Sequence, residues 1–357
     1  MAGNTLRQLT AATYPFVRCG LFALDPERAH HLSLGALKWI QDSPLAAFDE
    51  HTFGPARPVE IMGLTFPNRL GLGAGLDKGA HCVDGLGALG FGHIEVGTLT
   101  PRSQPGNSKP RLFRLKPAEA IINRMGFNNP GIDEAVERLT KRAYPGILGV
   151  NIGKNFDTPN ERATNDYLIG LRKAYSTADY VAINLSSPNT KALRELQLVA
   201  HCRPLLEQLV AERDQLAHRH QKRIPLAIKI APDLEDEHIK ELADLFVSVG
   251  MDAVIATNTT TARDKVTELK HGTEIGGLSG RPVAEKSTLV IAKFHEHLGK
   301  ALPIIGVGGI SCGQDALDKL EAGASLIQVY TGFVYRGSSL IDDILETLDQ
   351  SPSIRDV

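Results

Sequence analysis

The chain has 357 residues, of which 42% are hydrophobic and 22% are charged, and its formal net charge is -2. This is an ordinary globular composition, long enough for one large domain or two modest ones, and it argues against a disordered or coiled-coil protein. Lys+Arg 39 nearly balances Asp+Glu 41, so no global basic field indicates a nucleic-acid partner.

Cysteine spacing and hydropathy narrow the class of protein further. The four cysteines, Cys19, Cys82, Cys202 and Cys312, form no CxxC pair, which argues against an iron-sulfur cluster, a structural zinc site or a disulfide framework. A run of about 18 apolar residues is absent, as is the apolar segment of an export signal. We expect a protein on the cytosolic side of a membrane that neither spans the bilayer nor is exported.

The first 50 residues are predicted to form a helical appendage to a catalytic domain of residues 51–357. Asp25 is a capping residue and Pro26 takes the first helical position, which predicts a helix from Pro26 to about Ile40. Its apolar residues share one face. Packing of this face on the rest of the protein is favoured, and contact with a membrane surface, which Trp39 would suit, stays open.

From Arg69 onward, short apolar runs alternate with amphipathic stretches. Eight runs are predicted strands, at 70–74, 93–96, 147–152, 180–185, 226–230, 253–257, 304–307 and 326–329. Predicted helices include 132–142, 193–220, 236–249, 283–298, 314–322 and 340–348. Eight βα units favour an α/β fold of the closed (β/α)8 TIM-barrel type over an open doubly wound sheet. Residues 59–66 predict a hairpin that closes the amino-terminal end.

The residues that follow the predicted strands form one chemical set, because the carboxyl ends of barrel strands meet at one end of the barrel. The set is rich in lysines, amides and hydroxyls, and it lacks a His, Cys or Asp/Glu pair suited to metal or hydrolytic chemistry. Such a site binds anions and hydrogen-bonds planar rings. The most polar segment, 184–190, would in isolation be read as a turn, and only its place among similar strand ends favours a site.

A phosphate cradle is predicted where the seventh and eighth strands end. Gly306, Gly308 and Gly309 precede a helix that begins near Gln314, and 330–332 should lie beside them. A lone GVGG is a weak signal. The GxGxxG spacing at 85–90 precedes a strand instead of following one, so we do not interpret it as a dinucleotide site.

Lys229 lies inside a predicted strand, and a buried lysine needs a partner for its charge. That partner is either a core acid or the anionic edge of a reduced flavin, and the second choice makes a phosphate-bearing flavin the natural cofactor. Lys78 lies in a loop, where a lysine is more often a solvated surface charge.

Several motifs together resemble the quinone-dependent, membrane-associated dihydroorotate dehydrogenases (class 2). They lie at 14–16, 24–30, 106–114, 122–129, 184–190, 228–233, 256–260, 276–280, 304–310 and 330–332, so the resemblance covers nearly the whole chain. It implies oxidation of (S)-dihydroorotate to orotate in de novo UMP biosynthesis, with FMN as hydride acceptor and a membrane quinone, ubiquinone or menaquinone, as the final acceptor.

The resemblance also assigns residues. FMN would be held by Ala74, Gly75, Lys78, Thr98, Asn151, Asn184, Lys229, Thr257, Gly280, Gly309, Tyr330 and Thr331. The substrate would be held by Lys78, Asn123, Arg124, Met125, Gly126, Phe127, Asn184, Asn189, Asn258 and Thr259. Ser187 would be the catalytic base that takes the C5 proton as the C6 hydride leaves for the flavin. Cytosolic family members use cysteine there.

By the same resemblance, the appendage would form a hydrophobic tunnel for the quinone, with His30, Arg114 and Tyr330 as polar contacts. For His30 we favour an ordinary helix-surface position. The protein would be peripheral, at the cytoplasmic face of the cell membrane, without an iron-sulfur partner subunit.

Three alternatives stay open at this point. A cytosolic dihydroorotate dehydrogenase linked to fumarate or NAD is the nearest, and Ser187 together with the appendage argues against it. A flavin barrel that reduces uridine in transfer RNA would need a basic face or an RNA-binding extension, and a cysteine acid near the flavin. A flavin-free scaffold would not need the anion site.

Overall fold

A computed structural model describes residues 2–55 and 57–352 of the chain. Its strands are β1 (Val59–Ile61), β2 (Leu64–Phe66), β3 (Leu70–Leu72), β4 (His93–Leu99), β5 (Leu112–Leu115), β6 (Ala120–Asn123), β7 (Ile147–Ile152), β8 (Tyr180–Asn184), β9 (Leu226–Ile230), β10 (Ala253–Ala256), β11 (Gly277–Gly280), β12 (Ile304–Val307) and β13 (Leu326–Val329). Eight of them, β3, β4, β7, β8, β9, β10, β12 and β13, form a closed barrel in which each pairs in parallel with the next along the chain. The last strand closes the ring by pairing Ile327 with Leu70. The TIM-barrel prediction is confirmed.

The helices are α1 (Ala2–Ala23), α2 (Pro26–Gln41), α3 (Val83–Gly87), α4 (Ile132–Leu139), α5 (Ala163–Ala174), α6 (Val199–His220), α7 (Asp236–Val249), α8 (Ala284–Leu298), α9 (Gly313–Glu321), α10 (Thr331–Arg336) and α11 (Ser339–Gln350). Helices α4 to α9 and α11 carry their apolar residues on the side that packs around the barrel. Most predicted boundaries agree within a few residues. The long stretch 193–220 is divided, because 193–197 forms a 3-10 turn before α6 begins.

The amino-terminal end of the barrel is closed by the β1–β2 hairpin, as predicted. Phe66 is fully buried there and its ring meets that of His93 edge to face, at 5.3 Å between centroids. Small and branched side chains of the strands pack around Phe66 in the barrel interior. Water is thereby excluded from this end, and the opening toward ligands lies at the opposite one.

The sequence did not predict a second sheet, in which β11, β6 and β5 pair antiparallel over the carboxyl end of the barrel. Its strands have only four residues each. β5 and β6 pair locally, but β11 pairs with β6 across about 150 residues of intervening chain, as in the contact of Gly277 with Asn123. Local periodicity cannot report such a distant pairing. The sheet forms one wall of the site.

The appendage consists of α1 and α2. Asp25 caps α2 by accepting hydrogen bonds from the backbone N–H groups of Glu27 and Arg28, both at 3.0 Å, an arrangement worth about 1 kcal/mol. Arg111, on the barrel side, donates two hydrogen bonds to the Glu27 carboxylate, at 2.7 and 3.2 Å. Since both side chains are buried, this ion pair fixes α2 to the catalytic domain.

The outer faces of the two helices are apolar and open. Phe16 is 82% exposed and Trp39 is 68% exposed, and Leu9, Val17 and Leu32 are also exposed. Other apolar residues of α2, such as Leu34 and Leu37, pack against the core. Packing on the rest of the protein and contact with a membrane surface are therefore compatible, because one face of the appendage packs and another is exposed. No helix within the described residues is long and apolar enough to cross a membrane.

Candidate active site

A deep cleft opens at the carboxyl end of the barrel, with an empty volume of about 1050 Å³ that includes its mouth. It is bounded below by the strand ends and on one side by the β11–β6 wall. The residues that line it come from seven of the eight barrel strands or the segments after them, in addition to that wall. A cavity of this size accommodates a large planar cofactor together with a small substrate.

One end of the cleft is built from bare backbone. Gly309 has φ +79 and a Cβ on it would lie 2.3 Å from Ala284 Cα, while Gly280 has φ +95 and its Cβ would lie 2.3 Å from Glu119 O. Glycine is required at both positions. Thr331 lies beside them and donates to Ser279 Oγ at 2.8 Å. Uncovered N–H groups and hydroxyls at this place form a cradle for a phosphate.

The predicted contribution of a helix N-terminus to this cradle stays a prediction. Helix α9 begins at Gly313, one residue earlier than predicted, but the lining of the cleft on this side stops at Ile310. Asp315, in the first turn of α9, accepts the Ser311 N–H at 2.7 Å, just before the helix. The residues that line this end of the cleft are 308–310 and 330–332.

The middle of the cleft floor is a chain of amides and hydroxyls. Thr98 Oγ1 donates to Asn151 Oδ1 at 2.6 Å, and Asn184 Nδ2 donates to Thr98 Oγ1 at 2.9 Å. Asn258 Nδ2 donates to Asn184 Oδ1 at 3.3 Å and to Ser186 Oγ at 3.0 Å. These bonds lock each side chain in one orientation, so the floor presents a fixed pattern of donors and acceptors.

Lys229 enters the floor from β9, and its partner is a core acid, as one of the two sequence interpretations proposed. Its Nζ lies 3.5 Å from Glu95 Oε1, and both side chains are buried. Lys229 also lines the cleft, so the ion pair does not remove it from the site. Sequence reasoning missed Glu95, although an acid inside an apolar strand carries the same signal as the lysine inside β9.

Ser187 and Asn189, which follow β8, both line the cleft. Ser187 is 5% exposed and its Oγ accepts a hydrogen bond from the Asn189 N–H at 3.2 Å. Asn189 Nδ2 donates to Asn123 Oδ1 at 3.1 Å, whereas Asn189 Oδ1 is buried without a partner among the described residues. A buried acceptor of this kind favours a ligand with a ring N–H donor.

Lys78 reaches the cleft from the loop after β3, where its Nζ donates to Gly75 O at 2.7 Å. Burial, and then repulsion from Arg111, lower the pKa of Lys78 to about 8. It is therefore a half-buried cation facing the site and not a solvated surface charge.

The structure brings nearly all the predicted ligand-binding residues to the cleft. Those that line it are Ala74, Gly75, Lys78, Thr98, Asn123, Met125, Gly126, Phe127, Asn184, Ser187, Asn189, Lys229, Thr257, Asn258, Thr259, Gly280, Gly309, Tyr330 and Thr331. Asn151 lies beneath them, between Thr98 and Glu95. Arg124 turns away and pairs with Glu274 at 2.8 Å. The binding roles of these residues stay predictions.

A second cavity, the appendage cavity, lies between α1, α2 and the barrel, with an empty volume of about 1330 Å³. Its walls are mainly aliphatic and aromatic side chains, and His30, Arg114 and Tyr330 are among them. Tyr330 also lines the cleft, so this residue is shared by the walls of the two cavities. Arg114 donates to Leu21 O and Leu24 O at 3.2 and 2.9 Å, which fixes the end of α1.

The interpretation of His30 as a helix-surface residue is wrong. Its ring lines the appendage cavity, and burial, then the nearby Lys78 and His31, lower its pKa to about 3. His30 is therefore neutral at physiological pH. Helical spacing placed it correctly on α2, but could not show that α1 and the barrel cover that side.

Comparison with known proteins decides the family. A family model described as dihydroorotate dehydrogenase matches residues 57–351. The chain belongs to the dihydroorotate dehydrogenase family. A relative from Shewanella sediminis, named dihydroorotate dehydrogenase (quinone), is 52% identical over 333 residues, 93% of this chain and 98% of that protein. One of the same name from Burkholderia multivorans is 54% identical over 338 residues, 95% of this chain and 98% of that protein.

Solved structures agree with this family membership. A crystal structure of DHODH from Eimeria tenella in complex with ferulenol superposes on this dihydroorotate dehydrogenase with a TM-score of 0.85 at 39% identity, covering 94% of this chain and 95% of that one. The ligand-free type from the same organism gives 0.82 at 40% identity, covering 91% and 94%. Because the coverage exceeds the barrel domain of residues 51–357, the similarity reaches into the appendage.

Proposed function

We propose that this dihydroorotate dehydrogenase oxidises (S)-dihydroorotate to orotate with FMN as its cofactor, passes the electrons to a membrane quinone, and serves de novo UMP biosynthesis. The observation that carries the proposal is the position of Tyr330, which lies between a polar cleft with an anion cradle and a separate apolar cavity under α1 and α2. Two cavities of opposite character that share a wall suit a flavin that meets a polar substrate on one side and an apolar oxidant on the other.

The residues of the cleft fit FMN. The backbone at 308–310 and 330–332, with Gly280, would hold the phosphate, because the glycines there leave backbone N–H groups accessible and a Cβ at these glycines would clash with neighbouring atoms. Thr98, Asn151, Asn184, Thr257 and Lys229 would hold the ring system, with Ala74 and Gly75 along its edge. When bound, FMN supplies an acceptor for the hydride from substrate C6 and a donor of two electrons to the quinone.

The substrate side of the cleft fits a small cyclic amide with a carboxylate. The unpaired Asn189 Oδ1 would accept a ring N–H, and the amides of Asn123 and Asn258 offer donors and acceptors around it. Lys78 supplies a cation for the carboxylate. Ser187, which lines the same side, would take the C5 proton, and the Asn189 N–H bonded to its Oγ would stabilise developing negative charge.

The appendage fits a role at the membrane surface. The exposed Phe16 and Trp39 side chains would enter the interfacial region of the cytoplasmic face of the cell membrane, and the adjacent appendage cavity would admit ubiquinone or menaquinone. His30, which is neutral because its pKa is lowered, and Arg114 would contact the quinone oxygens near Tyr330.

The choice of acceptor tests this function. The purified protein should be yellow from FMN, and anaerobic dihydroorotate should bleach it. A ubiquinone analogue should restore the colour at least about a hundredfold faster than fumarate or NAD, because only an apolar oxidant suits the appendage cavity. Absorbance at the flavin band, followed by stopped flow, measures both half-reactions. Equal restoration by fumarate would contradict the quinone assignment.

Binding of orotate should depend on the charge of Lys78. Because the pKa of Lys78 is lowered to about 8, its ammonium is charged at pH 7 and is lost as the pH rises through that value. The Kd for orotate should therefore rise toward pH 9, approaching about tenfold per pH unit above the pKa. Titration of flavin absorbance with orotate gives the Kd. Lys78→Met should bind weakly at pH 7 with a flat profile, and a parent-like slope in that variant would exclude Lys78.

A further inference from the structure

The centre of the barrel contains a carboxylate that the proposed chemistry does not use. Glu95, on β4, is 1% exposed and lies beneath the cleft floor. Asn151 Nδ2 donates to its Oε1 at 2.8 Å, and Tyr180 Oη and Gln328 Nε2 donate to its Oε2 at 2.9 and 3.0 Å. Three strands besides its own thus supply donors to one side chain, and none of these donors carries a positive charge.

The charge on Glu95 is balanced by Lys229. Lys229 Nζ is 3.5 Å from Glu95 Oε1, and Lys229 also lines the cleft. Among the described residues, the other titratable groups facing Glu95 are Tyr180 and His93. Burial, and then Glu95, raise the pKa of Tyr180 well above its usual value, and burial lowers the pKa of His93 to about 4, so both are neutral.

An ammonium group in such surroundings keeps its proton only if an opposite charge is close, because burial alone favours the neutral amine. The hydrogen bonds on Glu95 fix the carboxylate in place, and the carboxylate then fixes Lys229. Glu95 is the fixed member of the pair, because donors from three other strands hold its carboxylate, whereas Lys229 lines the cleft.

We propose that Glu95 is a positioning residue that holds Lys229 protonated and directed into the cleft in both redox states of the flavin, so that flavin reduction does not change the protonation of Lys229. The proposal rests on the proposed function, because it requires FMN in the cleft. It assigns Glu95 a part in setting the flavin potential and its dependence on pH.

The test is the midpoint potential of the bound flavin in Glu95→Gln, measured by anaerobic dithionite titration against a reference dye from about pH 5.5 to 9. The amide keeps the shape of the side chain and removes its charge. Lys229 should then be neutral beside the oxidised flavin and take one proton from water when two electrons arrive. One added proton per two electrons steepens the potential by about 30 mV per pH unit relative to the parent, since that is the value of a tenfold change for a two-electron couple.

Two variants separate this role from a structural one. Tyr180→Phe removes a hydrogen bond to Glu95 but leaves both charges, so its potential should follow the parent slope. The double variant Glu95→Gln/Lys229→Met has no amine left to titrate and should also return to that slope. Lys78, the other lysine that lines the cleft, is unchanged in all of these variants, so it has the same effect on the slope of each.

The possible failures are distinguishable. A parent protein that binds no flavin would overturn the proposed function, and this inference with it. A yellow Glu95→Gln protein with the parent slope would overturn the role of Glu95 alone. If Glu95→Gln does not fold, Glu95→Asp withdraws the carboxylate from Lys229 by one methylene group, and its slope should steepen at the alkaline end of the range; an unchanged slope there would also overturn the role.

Discussion

Replacing Ser187 with alanine is expected to slow reduction of the bound flavin by dihydroorotate by about 10²- to 10⁴-fold at neutral pH, the usual contribution of a positioned base. Flavin content and orotate affinity should change little, because the hydroxyl makes few contacts. Its Oγ accepts one hydrogen bond, from the Asn189 N–H, and that N–H can bond to water or ligand in the variant. Anaerobic stopped-flow reduction, with Kd for orotate measured separately, gives the two quantities.

The neighbouring serine provides a matched control. Ser186 is buried, and its Oγ donates to Asn184 Oδ1 at 3.2 Å and accepts from Asn258 at 3.0 Å, but it does not line the cleft. Ser186→Ala should therefore lose at most about tenfold, through small displacement of two amides. If Ser187→Ala reduced its flavin at a rate similar to that of Ser186→Ala, another group or water would be the base.

The barrel could be predicted from sequence because each of its strands is buried on both faces and therefore appears as a short apolar run. The site could be predicted for the same reason, since polar residues that follow such runs meet at one end of the barrel. Ser187, Lys229 and Thr257 were found in this way. Family resemblance then supplied chemical roles that spacing could not.

What the sequence did not reveal depends on contacts between distant segments. The β11–β6–β5 wall is completed only when β11, a strand of four residues, pairs with the distant β6. His30 lines a cavity that α1, α2 and the barrel enclose together, and Arg124, in a ligand motif, pairs with Glu274 instead. Glu95 was detectable as a charge in an apolar strand, but its pairing with Lys229 requires the closed barrel, in which β4 and β9 face each other across the interior.

A bulky side chain at the edge of the appendage cavity should separate the two half-reactions. Ala36 lines this cavity and is exposed, so Ala36→Trp would obstruct the cavity without overpacking the core. We expect kcat/KM for a short-chain, water-soluble quinone to fall by about tenfold or more, corresponding to roughly 1.4 kcal/mol of lost transition-state stabilisation. Reduction of the flavin by dihydroorotate should stay within about twofold of the parent, because the cleft opens elsewhere.

Lys38→Trp is the control for this experiment. It adds the same side chain to the same helix, at an exposed position that does not line the cavity, so both half-reactions should remain close to those of the parent. Thermal unfolding of the two variants checks that α2 stays docked through the Glu27–Arg111 ion pair.

If Ala36→Trp oxidised its flavin with quinone as fast as Lys38→Trp, the electrons would leave by another route. The quinone would then have to enter through the polar cleft after orotate has left. Orotate would then compete directly with quinone in steady-state kinetics, whereas separate cavities predict that each binds without excluding the other.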